Sequence, residues 1–451
     1  MLLNLLFVII SLGLVWFAPD QYSFSYCLVI TLFYLFQNYI LFSSKAYKNI
    51  ASFEFLFFIS FFICSFIYPI FYYPMNPYVS IYAVFPFNEN IITYATSLAG
   101  LAYSSYLLGF TTIRKKDKAN DSFSNLPYIN NSAVIMIAIL SIVSFLGYLL
   151  TGGLSHLQAV YQDGENLDQV GLFSYFNNIF NVATLLLVMF VLRMKSKSIR
   201  NIILVYILIS IILILATGSR SIVIAILSIL LVSYSKTIKV LSKPIVFSAL
   251  LVGIVLMSFI VQFREEGNFS LKDYSTTITG SKLDVFMDLI ITTRNLYVLV
   301  DFTESNFKSY FVTAIEPLLS PIPTLSKYIV NFNLPIDIMG GRFPTFLEFG
   351  PNSNYGLGTN MVGEMYFSFG IYGVIFISYI LGMVIKFTKN KANNKYFYFI
   401  YLYFVSIAIF YPRGFYLPNM RNLIWGLIIL WLIYKFLRLN DSEKYIKETS
   451  L

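Results

Sequence analysis

The stretch "NIILVYILISIILILATGSRSIVIAILSILLVSYSK", residues 201–236, decides the fold. Two nearly charge-free apolar runs meet at a turn, Thr217–Arg220, with Arg200 just before the first run and Lys236 at the end of the second. About 20 apolar residues cross the hydrocarbon core of a bilayer. Each run therefore reads as one crossing, and the turn as a point where the chain emerges at one membrane surface. An arginine at the bilayer centre costs roughly 2.5–3.5 kcal/mol. Arg220 is therefore placed at or slightly below the headgroups, where lipid phosphate is within reach.

The same pattern runs through the chain. Its 451 residues are 58% apolar and 12% charged, which excludes the soluble globular classes and indicates an all-α polytopic membrane protein. Hydropathy places about twelve spans, near 2–18, 24–42, 53–73, 91–110, 133–151, 173–192, 201–216, 221–235, 244–262, 361–384, 396–411 and 420–437. Met1–Asn4 carries no basic residue and no small-residue cleavage pattern follows, so the first span reads as a helix rather than a signal peptide.

Two-thirds of the 31 basic residues fall in every second connection and in the C-terminal tail, as in Arg114–Lys116, Arg193–Arg200 and Lys386–Lys395. The positive-inside rule assigns those connections, and both termini, to the cytoplasm. Basic residues needed for topology account for the net charge of +9, so that charge implies no nucleic-acid partner. Cys27 and Cys64 lie within spans and suggest packing rather than a disulfide. His156 is the only histidine and has no cysteine beside it, so no metal site is expected.

The chain, 1–451, reads as a single integral-membrane domain with one unusual connection, a large polar outer loop at 263–360 between the ninth and tenth spans. Within it, "KLDVFMDLIITTRNLYVLVDF" is expected to form an amphipathic helix on the outer face, since Asp284, Asp288, Arg294 and Asp301 argue against a crossing. Pro317, Pro321, Pro323 and Pro335 should break the next stretch into turns and short helical pieces.

Outside the membrane, Arg220, Arg264, Arg294, Arg342, Arg413 and Arg421 outnumber lysine, whereas lysine dominates inside. The planar guanidinium stays charged and grips phosphate or carboxylate oxygens through two bonds, so an arginine-rich outer surface points to a phosphate-bearing or acidic ligand. Pairing with the outer acids is the alternative. "YPRGFYLPNMRN" holds Arg413 in a Pro-Gly turn, with Arg421 in the first turn of the last helix. "GGRFPTFLEFGPNSNYGLGTNMVGEMYFSFGIYG" surrounds Arg342 with glycines, so that backbone can fold closely over a ligand. Asn354 and Tyr355 supply polar groups that suit sugar hydroxyls. Glu364 enters the first turn of the tenth span as either a base or a dipole-favoured acid, Glu348 is a second acidic candidate, and Gly363, Gly370 and Gly373 allow tight helix packing.

The run "GTNMVGEMYFSFGIYGVIFISYILG", preceded by "GGRFP" and "FGPNSNYG", together with "GSRS" at 218–221, resembles the Wzy-type O-antigen and capsule polymerases. The likeness of layout covers most of the chain. It implies a metal-independent, cofactor-free glycosyltransferase of the integral-membrane GT-C class in the bacterial inner membrane. Such an enzyme joins undecaprenyl-diphosphate-linked oligosaccharide repeat units at the periplasmic face, among membrane lipids and with a chain-length regulator protein as partner. By motif, the resemblance carries catalytic roles to Arg220 and Arg342; the residue reading adds Glu364 as base, with Glu348 as the second candidate. By placement, it carries substrate binding to Arg294 and Arg413, which the residue reading extends to Arg421, Asn354, Tyr355 and Glu348. Pro323-Thr324 stands where relatives often have a Pro-Arg pair. The competing readings are a lipid-linked oligosaccharide flippase, which places its charges within the membrane, and an O-antigen ligase, which usually carries a histidine in the large loop.

Overall fold

The computed structural model describes residues 1–43, 50–77, 85–113, 130–153, 172–216, 220–248, 253, 287–322, 325, 338–350 and 356–437. Among these residues the regular elements are helices and no strand occurs. They are α1 (Leu2–Trp16), α2 (Phe24–Ser43), α3 (Phe53–Ile67), α4 (Ile92–Thr112), α5 (Asn131–Tyr148), α6 (Leu172–Val191), α7 (Lys197–Ala216), α8 (Arg220–Thr237), α9 (Thr292–Ser305), α10 (Val312–Leu319), α11 (Phe343–Phe349), α12 (Met361–Asn390), α13 (Lys395–Ile407) and α14 (Met420–Phe436). The expected spans fall on these helices except 244–262, where the described residues, 243–248 and 253, are helical and the others lie outside the described residues. Among the described residues, six helices are long and apolar enough to cross a membrane: α2, α3 with its extension to Tyr72, α5 with its extension to Gly153, α6, α7 and α12. Leu2–Trp16 and Ser221–Thr237 are shorter apolar helices. The protein is thus an all-helical, multi-pass membrane protein.

The chain forms two compact units. The first comprises Met1–Asp121, Leu241–Asn390 and Ile407–Pro418. Its spine is the pair α4 and α12, whose backbones touch because two glycines leave room. A Cβ on Gly109 would lie 1.9 Å from the Tyr379 carbonyl oxygen, and one on Gly382 would lie 2.1 Å from that of Tyr106. Lipid offers helices no hydrophobic reason to associate, so close packing and polar contacts must hold them. Polar contacts are supplied where Ser11 meets Ser104 at 2.7 Å, Gln37 donates to Ser104 at 2.8 Å and Asn4 donates to Thr111 at 2.7 Å, joining α1 and α2 to α4. At the far end of α12, Lys389 pairs with buried Glu54 at 2.8 Å.

The helix α12 is broken at Gly370, where φ +63° and ψ −149° suit glycine alone. A break frees carbonyls that the next turn would have paired. Two of them are taken from outside the helix: Ser309 N–H donates to Phe367 O at 2.9 Å, and Tyr310 N–H donates to Ser368 O at 3.0 Å. The segment leading into α10 is thereby docked against the upper half of α12.

The second unit comprises Ser122–Val240, Lys391–Ser406 and Asn419–Leu451. There α5, α6 and α7 share a hydroxyl cluster in which Ser141 contacts Thr184 at 2.9 Å and Tyr206 at 2.8 Å. Lys236, at the end of α8, donates to Tyr401 at 3.2 Å, and Gly426 of α14 meets the Phe399 ring.

Candidate active site

A group of polar residues in the first unit converges at the N-terminal end of α12. Asn360 caps that end, its Oδ1 accepting from Val362 N at 3.0 Å and Gly363 N at 3.3 Å. Gly363 then permits α9 to cross close by: a Cβ there would lie 2.9 Å from Leu299 Cδ1 and 3.2 Å from Leu296 Cα. Phe343 of α11 stacks on Phe367 of α12 at 4.6 Å, and both pack against Leu299 of α9. These apolar contacts fix three helices around one point. The approach at 356–360 is held by polar contacts, since Asn295 donates to Leu357 O at 2.9 Å and Leu357 N donates to Thr345 at 3.0 Å.

Glu364 sits inside this frame with no solvent exposure. Thr359 donates to its Oε1 at 2.5 Å, while Oε2 has no hydrogen-bond partner among the described residues. Beside it lies a hydroxyl cluster in which Thr313 contacts Ser368 at 2.9 Å and Tyr416 contacts Ser368 at 3.3 Å. Burial, with Glu364 nearby adding to it, raises the Tyr416 phenol above the ordinary tyrosine value, so it stays protonated and can donate. Tyr411 fixes this loop by donating to Tyr416 O at 2.5 Å. Arg413, half-buried on the same loop, brings Nε within 3.9 Å of the Cβ position of Gly358. A cation, a carboxylate and several hydroxyls thus surround the glycine-rich approach to α12.

The turn Met339–Arg342 covers this group. Gly340 and Gly341 adopt φ +61° and +83°, and a Cβ on Gly341 would come within 2.7 Å of Thr359 Cγ2. Its anchor is set by a proline. Pro317 has no N–H, which leaves the Thr313 carbonyl, its helical partner, open, and Gly340 N–H fills it at 3.0 Å. Arg342 pairs with Glu316 of α10 at 2.7 Å and remains 56% exposed. Arg294, by contrast, is only 2% exposed, pairs with Glu348 at 2.5 Å and donates to the Phe85 carbonyl at 3.2 Å. Among the described residues, no group of three or more His, Cys, Asp or Glu is placed to hold a metal ion.

Comparison with known families decides what kind of protein this is. The family model for O-antigen polysaccharide polymerase Wzy matches residues 1–441, nearly the whole chain. The chain belongs to that family. No curated protein and no solved structure matches it. The polymerase is therefore a membrane enzyme of polysaccharide biosynthesis, as the glycine-rich run and the layout of its spans suggested.

The polymerase brings together Glu364, Arg413 and the glycine turn that carries Arg342. Arg294, buried on α9, pairs with half-buried Glu348 on α11. Arg220 begins α8 and Arg421 lies in the first turn of α14, both in the second unit; the side chain of Arg220 and all of Asn354 and Tyr355 lie outside the described residues. Thr359, Tyr416, Ser368, Thr313 and Glu316 escaped the sequence reading. Isolated hydroxyl residues in an apolar chain give no signal of convergence, although Pro317 did mark the helix on which Thr313 and Glu316 sit.

Proposed function

We propose that the polymerase extends glycan chains on a lipid-diphosphate carrier, undecaprenyl diphosphate, at the periplasmic face of the inner membrane, as a GT-C-type glycosyltransferase without a metal. In this reading the chain makes about twelve crossings with both termini inside, 263–360 is the periplasmic loop, and a chain-length regulator acts beside the polymerase. The observation that carries the proposal is Glu364, buried at the start of α12 with one oxygen held by Thr359 and the other unpartnered, next to the loop bearing Arg413.

A hydroxyl of the incoming repeat unit attacks the anomeric carbon of the growing chain. The carbon–oxygen bond to the carrier breaks, and undecaprenyl diphosphate leaves with the bonding electrons. Glu364 Oε2 takes the proton of the attacking hydroxyl. Negative charge growing on the departing diphosphate is met by Arg413 and Arg342. Tyr416 donates from its hydroxyl cluster, and Asn354 and Tyr355 contribute substrate contacts. Arg294 and Glu348 serve the reaction by fixing α9 against α11.

The test is the surface glycan of a deletion strain complemented with single variants. Glu364→Gln, Arg342→Ala and Arg413→Ala should each leave core bearing one repeat unit, with the protein at wild-type level in the membrane. A full-length ladder from all three removes this site. Bare core would indicate loss of a flippase or ligase activity instead.

A further inference from the structure

In this structure Glu364 is fully buried, and the turn Met339–Arg342 lies against its Oε1 as a cover. A Cβ on Gly341 would stand 3.6 Å from Glu364 Oε1, with Thr359 packed between turn and carboxylate. Two contacts close the cover. One is the Gly340 N–H to Thr313 O bond at 3.0 Å, and the other is the Arg342–Glu316 pair at 2.7 Å. The Glu316 carboxylate also lies against the turn, its Oε2 being 3.0 Å from where a Cβ on Gly340 would stand. The pair is open to water, with side-chain exposures of 56% and 23%, and ion pairs so placed are weak. A diphosphate offers Arg342 more charge and a two-pronged set of oxygens, which a single exposed carboxylate does not match.

We propose that Glu316 and Arg342 form a latch released by the diphosphate of the lipid-linked donor, which takes Arg342 from Glu316, lifts the Gly340–Arg342 turn and opens Glu364 to the acceptor. The inference rests on the roles given above to Arg342 and Glu364, and it assigns Glu316 a positioning role in the same reaction. Its chemical sense lies in coupling: the base becomes available only when the diphosphate that must depart is already bound, so one ligand controls both ends of the reaction.

The turn can be followed by thiol labelling. Thr359 is 5% exposed beneath it, and the native Cys27 and Cys64 are both fully buried, so a Thr359→Cys variant gives a reporter with low background. In detergent-purified protein, labelling by a soluble maleimide should be slow and should accelerate about fivefold or more when undecaprenyl diphosphate is added. Adding Glu316→Gln, or Arg342→Ala, should make labelling fast without lipid and insensitive to it. Labelling that stays slow under lipid or in either double variant overturns the latch.

A second measurement covers the case in which Thr359→Cys does not accumulate. Glu316→Gln alone should lower the concentration of lipid-linked repeat unit, extracted from a deletion strain, that gives half-maximal chain growth by about two- to fivefold. A rise would show that Glu316 only holds Arg342 ready for binding. The two readings fail separately: normal ladders from Arg342→Ala and Glu364→Gln remove the site, whereas unchanged labelling removes only the latch.

Discussion

Replacing Arg294 by methionine separates structure from chemistry. Its guanidinium is 2% exposed, bonded to Glu348 at 2.5 Å and to the Phe85 carbonyl at 3.2 Å, and lies 5.7 Å over the Phe85 ring. Removing one member of a buried pair strands the other and costs about 3–5 kcal/mol. Glu348 is 25% exposed and can rehydrate, which places the expected loss near the lower end, about 3 kcal/mol. In detergent the single variant should unfold on the order of 5 °C below the wild type and accumulate poorly. Methionine at both positions removes the stranded charge and should return stability to within about 1 kcal/mol of the wild type. Thermal unfolding and the surface glycan ladder read out the pair together. The double variant is predicted to be folded and to make long chains. A folded double variant with no ladder would show that Arg294 touches substrate, and a single variant as stable as the wild type would refute the energetic argument.

Three further substitutions test the frame. Gly382→Leu drives a side chain into the Tyr106 carbonyl, so α4 and α12 should separate and membrane levels should collapse, whereas Gly13→Leu, with nothing within 4 Å, should be tolerated on the same immunoblot. Gly370→Ala forces a Cβ into a glycine-only conformation and against Lys308 Nζ at 3.0 Å, and should destabilise the purified protein by about 1–3 kcal/mol in thermal unfolding.

Much of this architecture is legible in the sequence because lipid imposes simple rules. Apolar runs such as 201–216 had to become helices, since a bilayer offers no other partner for backbone groups. Gly363 was expected to admit a neighbour, and Leu296 and Leu299 of α9 are that neighbour. The proline-rich stretch was expected to form short helical pieces, and α10 is one of them. Long-range pairing was not legible. Glu348 is 54 residues from Arg294 and Glu316 is 26 from Arg342, and charge counting cannot choose one acid among many. Nor does the letter pattern distinguish a glycine that admits a neighbouring helix from one that breaks its own. Gly363 does the first and Gly370 the second, and only the backbone angles separate them.

The central claim, that the new glycosidic bond forms at the start of α12 under the control of one carboxylate, is tested most directly with purified protein and lipid-linked repeat units in the presence of a metal chelator. The wild type should build a ladder of products and release undecaprenyl diphosphate. Glu364→Gln, folded and with wild-type affinity for the lipid, should do neither. A Glu364→Gln enzyme that polymerises at the wild-type rate would contradict the account.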